Sequence, residues 1–355
     1  MSQNNNINGQ QLNDLMRERG KKILERYKSI IFSDISSPDL LSILEEVKDY
    51  WMDWVRPAIT SFSCEAVGGK PKVAENASLL FSIVASGIGI HDDIIDNSLT
   101  KHFKWTIFGT QGKDKALIVG DLLFVKGWTF MIHDMIRENI QPTTIAKIAK
   151  EYGKYCIQMC EAEIKEISCR CNLDTDLNSY KQNVLWNLNA DLEGCAKFGA
   201  ILGGGSKKEV KALADFGRYL GFIHAVISDL KDCVDIDGNL SLRLKNESIP
   251  FPILHSTTSS IENTMKIKSI LDKSKINQTD LQKIFLMCFE SKSFDNIKEI
   301  VIQSTKEASA RLQSLAPSTA KKILLQMVKN RVIQVNELYN YACELQDYFS
   351  AEHMK

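Results

Sequence analysis

Apolar residues return at helical spacing along almost the whole chain, as in Ile297, Ile300 and Val301 and again in Ile323, Leu324, Met327 and Val328. Only seven prolines interrupt that rhythm, and alternating strand patterns are scarce. Turn signals fall at Ser36 to Asp39, Gly68-Gly69, Gly109 to Gly112, Gln141-Pro142, Gly203 to Ser206, Asp237-Gly238 and Pro250 to Pro252. They separate segments of roughly 15 to 30 residues, longer than the mean globular helix. The pattern predicts an all-α bundle with a deep interior, and 44% hydrophobic residues over 355 positions suffice for a large core. No linker divides the chain. The polar opening, Met1 to Gln11, predicts a disordered tail over residues 1–12, followed by one helical domain over 13–355.

Charge excludes one class of partner. Lys+Arg and Asp+Glu are equal at 44 each, so there is no basic stripe for a nucleic-acid backbone. Nine cysteines, an odd number without paired C-x-x-C spacing, point to reduced thiols and a cytoplasmic protein. The apolar run Leu79 to Ile90 is too short to span a bilayer, and no signal-peptide core follows Met1; the expectation is no transmembrane segment.

That apolar run ends in Ile90-His91-Asp92-Asp93-Ile94-Ile95-Asp96-Asn97, three carboxylates in a D-D-x-x-D pattern. On a helix, Asp92 and Asp96 share a face with Asp93 beside them. Such a cluster repels itself, and only Lys101 and His102 lie close in sequence to offset it. Hard divalent cations are the natural counter-charge, and all-oxygen ligands favour Mg²⁺, which completes its shell with substrate phosphate. A solvated acidic helix end is the plainer alternative; the apolar residues before it argue against a surface helix. A second acidic segment, Ser228-Asp229-Leu230-Lys231-Asp232-Cys233-Val234-Asp235, follows another apolar run. Asp229 and Asp232 could face the first cluster across a bundle interior, or be exposed residues of an ordinary helix.

With Lys115-Ala-Leu-Ile-Val-Gly-Asp-Leu-Leu-Phe124, Met159-Cys-Glu-Ala-Glu-Ile-Lys-Glu-Ile167 and the stretch Leu244 to Leu254, these motifs stand in an order that resembles the trans-isoprenyl diphosphate synthase, or polyprenyl synthetase, family over most of the chain. The resemblance implies an isoprenoid-synthase helical bundle with a central hydrophobic cavity, an allylic prenyl diphosphate as substrate and a homodimer. Contact with a membrane surface is expected for an apolar product. It also implies Mg²⁺ held by Asp92, Asp93, Asp96, Asp229 and Asp232, ionising the allylic diphosphate to a carbocation and pyrophosphate. Arg56, Lys101 and His102 are then the substrate-binding cations, while Val84, Gly87 and Ile88 line the tail cavity one and two turns before Asp92. Gly87 and Gly89 serve either an open cavity for a long tail or close helix packing, since glycine inside a helix otherwise costs roughly 0.5 to 1 kcal/mol relative to alanine.

The departures from the family pattern concentrate on basic residues. The Gly-Gly-Lys-Arg-x-Arg-Pro region that grips isopentenyl diphosphate aligns with Trp51-Met52-Asp53-Trp54-Val55-Arg56-Pro57, which keeps Arg56 but puts Asp53 at the lysine. The expected histidine is Ala85, the Arg-Arg pair is Lys101-His102, a later lysine falls in Asn187-Leu188-Asn189, another is Ser248, and the second acidic motif opens with Ser228. Each lost charge-assisted contact is worth roughly 1.5 to 3 kcal/mol. Neighbours such as Lys70, Lys72 or Lys104 could replace them. The leading expectation is a class I enzyme that ionises a long allylic diphosphate and then eliminates, hydrates or cyclises, as terpene synthases do. A chain-elongating or acceptor prenyltransferase with a rearranged isopentenyl diphosphate site is the alternative. A third is a non-catalytic partner subunit, against which the intact first cluster argues.

Overall fold

The computed structural model describes residues 9–101, 104–236, 238 and 240–353. The expected helices are there. In chain order they are α1 (Gly9–Phe32), α2 (Pro38–Tyr50), α3 (Val55–Ala66), α4 (Glu75–Ile95), α5 (Ile107–Gln111), α6 (Lys113–Arg137), α7 (Pro142–Ser168), α8 (Leu177–Ser179), α9 (Ala190–Leu202), α10 (Lys207–Val234), α11 (Leu240–Asn246), α12 (Phe251–Ser259), α13 (Ile261–Leu271), α14 (Gln278–Glu290), α15 (Ser293–Arg311) and α16 (Thr319–His353). A two-stranded hairpin, β1 (Thr100–Lys101) with β2 (Lys104–Trp105), is the one sheet among the described residues. Helix α1 starts at Gly9, inside the stretch expected to be a disordered tail.

Local chemistry sets several boundaries. Pro38 opens α2 behind Ser37, whose hydroxyl accepts from Leu40 N–H, and Asn277 and Asp280 form a reciprocal capping box on α14. Helix α4 stops where Asn97 adopts a left-handed backbone, φ 54°, and the chain turns into the hairpin.

By internal contact the chain divides into two compact units. The first takes residues 1–154, 194–217 and 312–326, the second 155–193, 218–311 and 327–355. In the first, Tyr27, Ile31, Leu44, Leu79, Ile83 and Leu123 are buried in one apolar cluster, and Phe81 packs against Tyr152 and Phe198 with ring centroids 5.3 and 5.4 Å apart. In the second, Phe285 packs on Phe294 and Phe349.

By length and composition alone, Pro71–Ile95 and Lys113–Arg137 are long and apolar enough to cross a membrane, a wider apolar stretch than the run Leu79 to Ile90. Of the first span's most apolar window 78% is buried, as in a core helix; of the second's, 33%. Where α4 meets α6 the backbones come close. A Cβ on Gly87 would stand 2.8 Å from Gly120 O, and one on Gly120 would collide with the His91 ring. Val84, likewise buried, lies against Gly127 of α6. Gly87 and Val84 therefore sit where α4 and α6 pack closely. Ile88 is half-buried.

Candidate active site

The first acidic motif sits at the C-terminal end of α4, in the first unit. Asp93 is buried, 1% exposed, while Asp92 and Asp96 are partly open. The left-handed turn at Asn97, held by Ser98 N–H donating to Asp93 O at 2.8 Å, sends the chain back through the hairpin. Lys101 thus returns over the helix end, with Nζ 2.8 Å from both Asp92 Oδ2 and Asp93 Oδ1. Burial opposes charge on this lysine, yet the two carboxylates hold its pKa well above the ordinary value. Burial pushes the Asp93 carboxyl above the usual aspartate range, against the pull of Lys101. Nearby Tyr50 is pushed up to about 12, by burial first and then by Asp93. No hydrogen bond reaches Asp93 Oδ2 among the described residues. One ammonium is thus shared by Asp92 and Asp93, the latter buried with an oxygen that no hydrogen bond reaches, and that oxygen set suits a hard divalent cation. His102 lies outside the described residues.

In the region aligned with the isopentenyl diphosphate cradle, two tryptophans pack against glycines. Trp51 lies against Gly89 of α4, where a Cβ would come within 2.9 Å of the indole, and Trp54 fills the notch over Gly20 of α1. Gly89 is thereby explained by an indole rather than by a cavity. Asp53 Oδ1 accepts from Val55 N–H at 2.9 Å at the start of α3, and its Oδ2 lies 3.1 Å from Arg56 Nη1. Arg56 is thus engaged by Asp53 three residues before it.

The second motif lies on α10, in the second unit. His224, Ser228 and Asp235 share its exposed side, Asp232 is half-buried, and Asp229 is buried at 3% exposure. Arg243 of α11 reaches both acids: Nη2 donates to Asp229 Oδ1 at 2.6 Å and Nη1 to Asp232 Oδ2. Its Nε points to Ser248 O at 3.5 Å and lies 3.7 Å from Glu247 Oε2. Asp229 Oδ2 accepts from Phe251 N–H at 2.8 Å and from the Tyr180 hydroxyl at 3.4 Å. Burial pushes the Asp229 carboxyl up and the Tyr180 phenol well up; Arg243 opposes both shifts. Ser248, where a family lysine is expected, donates instead to Glu166 Oε1 at 2.6 Å.

Tyr180 begins a π-helical turn, Tyr180–Leu185, an irregularity frequent at functional sites. Just beyond it, Asn187 Oδ1 accepts from Arg218 Nη1 at 3.0 Å, and Arg218 also pairs with Glu193. A guanidinium from α10 therefore stands beside the position where the resemblance calls for lysine. Sequence reading missed Arg218 and Arg243. Arg243 does leave a trace, because it shares the buried stripe of α11 with Leu240 and Leu244. Among the described residues, no group of three or more His, Cys, Asp or Glu side chains is already drawn together as a metal centre.

The polyprenyl synthetase family profile matches residues 43–287, and the chain belongs to that family. A short chain isoprenyl diphosphate synthase of Methanothermobacter thermautotrophicus is 27% identical over 227 residues, 64% of this chain and 68% of the relative. A geranylgeranyl diphosphate synthase of Methanosarcina mazei is 23% identical over 279 residues, 77% and 83% of the two chains. Among solved structures, geranylgeranyl pyrophosphate synthetase from Pyrococcus horikoshii matches with a TM-score of 0.78 at 23% identity, covering 91% of this chain and 98% of that one. The fold is thus that of isoprenyl synthases, and the protein is a prenyl diphosphate-using enzyme. The relatives are named as synthases, which favours prenyl transfer over the terpene-synthase-like expectation.

Proposed function

We propose that the protein is a prenyltransferase that ionises an allylic prenyl diphosphate at the first acidic motif and joins the prenyl group to an acceptor in a rebuilt acceptor site. The observation that carries this reading is the cluster at the end of α4: a buried Asp93 with an underbonded oxygen, Asp92 beside it, and one lysine across both. Asp92, Asp93 and Asp96 would hold Mg²⁺. When bound, the ion supplies Lewis acidity to the leaving diphosphate. Lys101 balances the carboxylates in the resting protein and, once cations take them, has its ammonium free for diphosphate oxygens. The apolar floor of α4 and α6 beneath the motif excludes water from the ionising bond.

The acceptor side is where this chain departs from its relatives. Losing two of the cradle's cations at roughly 1.5 to 3 kcal/mol each weakens isopentenyl diphosphate binding by about tenfold or more per contact. Trp51, Asp53 and Trp54 therefore favour, as a second reading, ionisation followed by elimination or hydration with no acceptor. Incubation with Mg²⁺ and allylic diphosphates of increasing length, with and without radiolabelled isopentenyl diphosphate, separates the two. Label in a longer diphosphate supports transfer. Hydrocarbon or alcohol without label sinks it in favour of the second reading.

A homodimer belongs to the same proposal. Ile118, Val125 and Ile136 leave an apolar stripe on α6 exposed at 64, 60 and 61%, and such faces mark association surfaces. Sedimentation as a monomer would remove this element.

A further inference from the structure

The second acidic cluster differs from the first in how its charge is met. Both guanidinium Nη atoms of Arg243 are spent on Asp229 and Asp232. Asp229 has its remaining oxygen filled by a backbone N–H and a phenol. A divalent ion here would have to displace a guanidinium that bridges both acids through charge-assisted hydrogen bonds, with its own side chain 10% exposed, that of Asp229 4% and that of Asp232 26%. The next acid in reach, Glu247, also lies beside the same guanidinium, 3.7 Å from its Nε.

We infer that Arg243 is the resident cation of the second acidic cluster and that this cluster takes no divalent metal. The oxygen set that the family resemblance assigns to metal does not fit one here: its ligands are already coordinated, by nitrogen. Arg243 supplies from α11 the positive charge that position 248, a serine, does not. The inference deepens the proposed function and rests on it in one respect, that metal enters at the first motif.

The test counts bound Mn²⁺ by electron paramagnetic resonance, using Mn²⁺ with inorganic pyrophosphate as the probe. In the wild-type protein, Asp92→Asn should remove most bound Mn²⁺, which reads the first site, whereas Asp232→Asn should leave the bound amount unchanged, which reads this inference alone. A fall in bound Mn²⁺ on Asp232→Asn overturns the inference whatever Asp92→Asn does. A gain-of-site arm sharpens it. The double variant Ser228→Asp with Arg243→Gln should acquire additional bound Mn²⁺ that Asp232→Asn abolishes, while Ser228→Asp alone should acquire none. Extra Mn²⁺ in the Ser228→Asp single variant would show that Arg243 does not close the cluster.

Discussion

The two acidic motifs look alike as sequence and differ as chemistry. At the end of α4, Asp92 and Asp93 are met by a lysine arriving on a hairpin, a third exposed and tethered by a flexible stem. On α10, Asp229 and Asp232 are met by an arginine from a neighbouring helix, nearly sealed and locked at every nitrogen. A lysine ammonium is a movable point charge that exchanges readily for another cation; a buried guanidinium fork is a fixed part of the fold. A site built to admit metal keeps its counter-charge loose, and a site that has become structural keeps it tight.

Three measurements would break or sharpen that contrast. The largest effect is expected on catalysis at the first motif: Asp92→Ala or Asp96→Ala should lower diphosphate release by about 10³-fold, about 4 kcal/mol of transition-state stabilisation, with the thermal midpoint close to wild type. Undiminished turnover would end the assignment of the first motif.

The next effect is on stability and compares the two cations directly. Arg243→Gln leaves Asp229 buried without its charge partner and should cost about 3 to 5 kcal/mol by denaturant unfolding. Lys101→Gln also strips a buried carboxylate, Asp93, of its charge partner, but this lysine is a third exposed and Asp92 is open to water, so the loss should be smaller, about 1 to 3 kcal/mol. Equal losses would mean that the two clusters are not different in kind.

The smallest effect concerns pH. The Asp93 carboxyl is raised by burial, so the folded protein binds that proton more readily than the unfolded chain does. Stability from this group is therefore lost as pH rises from the ordinary aspartate value of about 3.9 through the raised folded value. Asp93→Asn should accordingly raise the melting temperature at pH 7 in metal-free buffer, and the gain should vanish below about pH 3.9. A lower melting temperature at pH 7 would show that the ion pair with Lys101 outweighs the burial cost.

The helical class and the first motif were legible in the sequence because both are local: periodicity and a D-D-x-x-D run need no knowledge of partners. Lys101 was legible for the same reason, lying five residues past Asp96. The second motif was legible as acid but not as an ion pair, since Arg243 is eleven residues beyond Asp232 and its reach depends on how α11 packs. The glycines alone left an open cavity and close packing as equal readings. A missing side chain shows that something comes close, not what; at Gly87 it is the backbone of α6, at Gly89 the indole of Trp51.

The tryptophans that replaced the cradle carry a consequence for how this chain can change. Trp51 fits only because residue 89 is glycine, and Trp54 only because residue 20 is. Replacing either tryptophan by glycine or a basic residue would leave a void where a large ring now packs, and because both are half-buried the change should cost less than the roughly 3 to 5 kcal/mol of a fully buried ring. Such a loss is a large fraction of the stability a domain has to spare. Each indole and its facing glycine form a latch, so a basic residue placed at 51 or 54 would have to recover packing as well as bring charge.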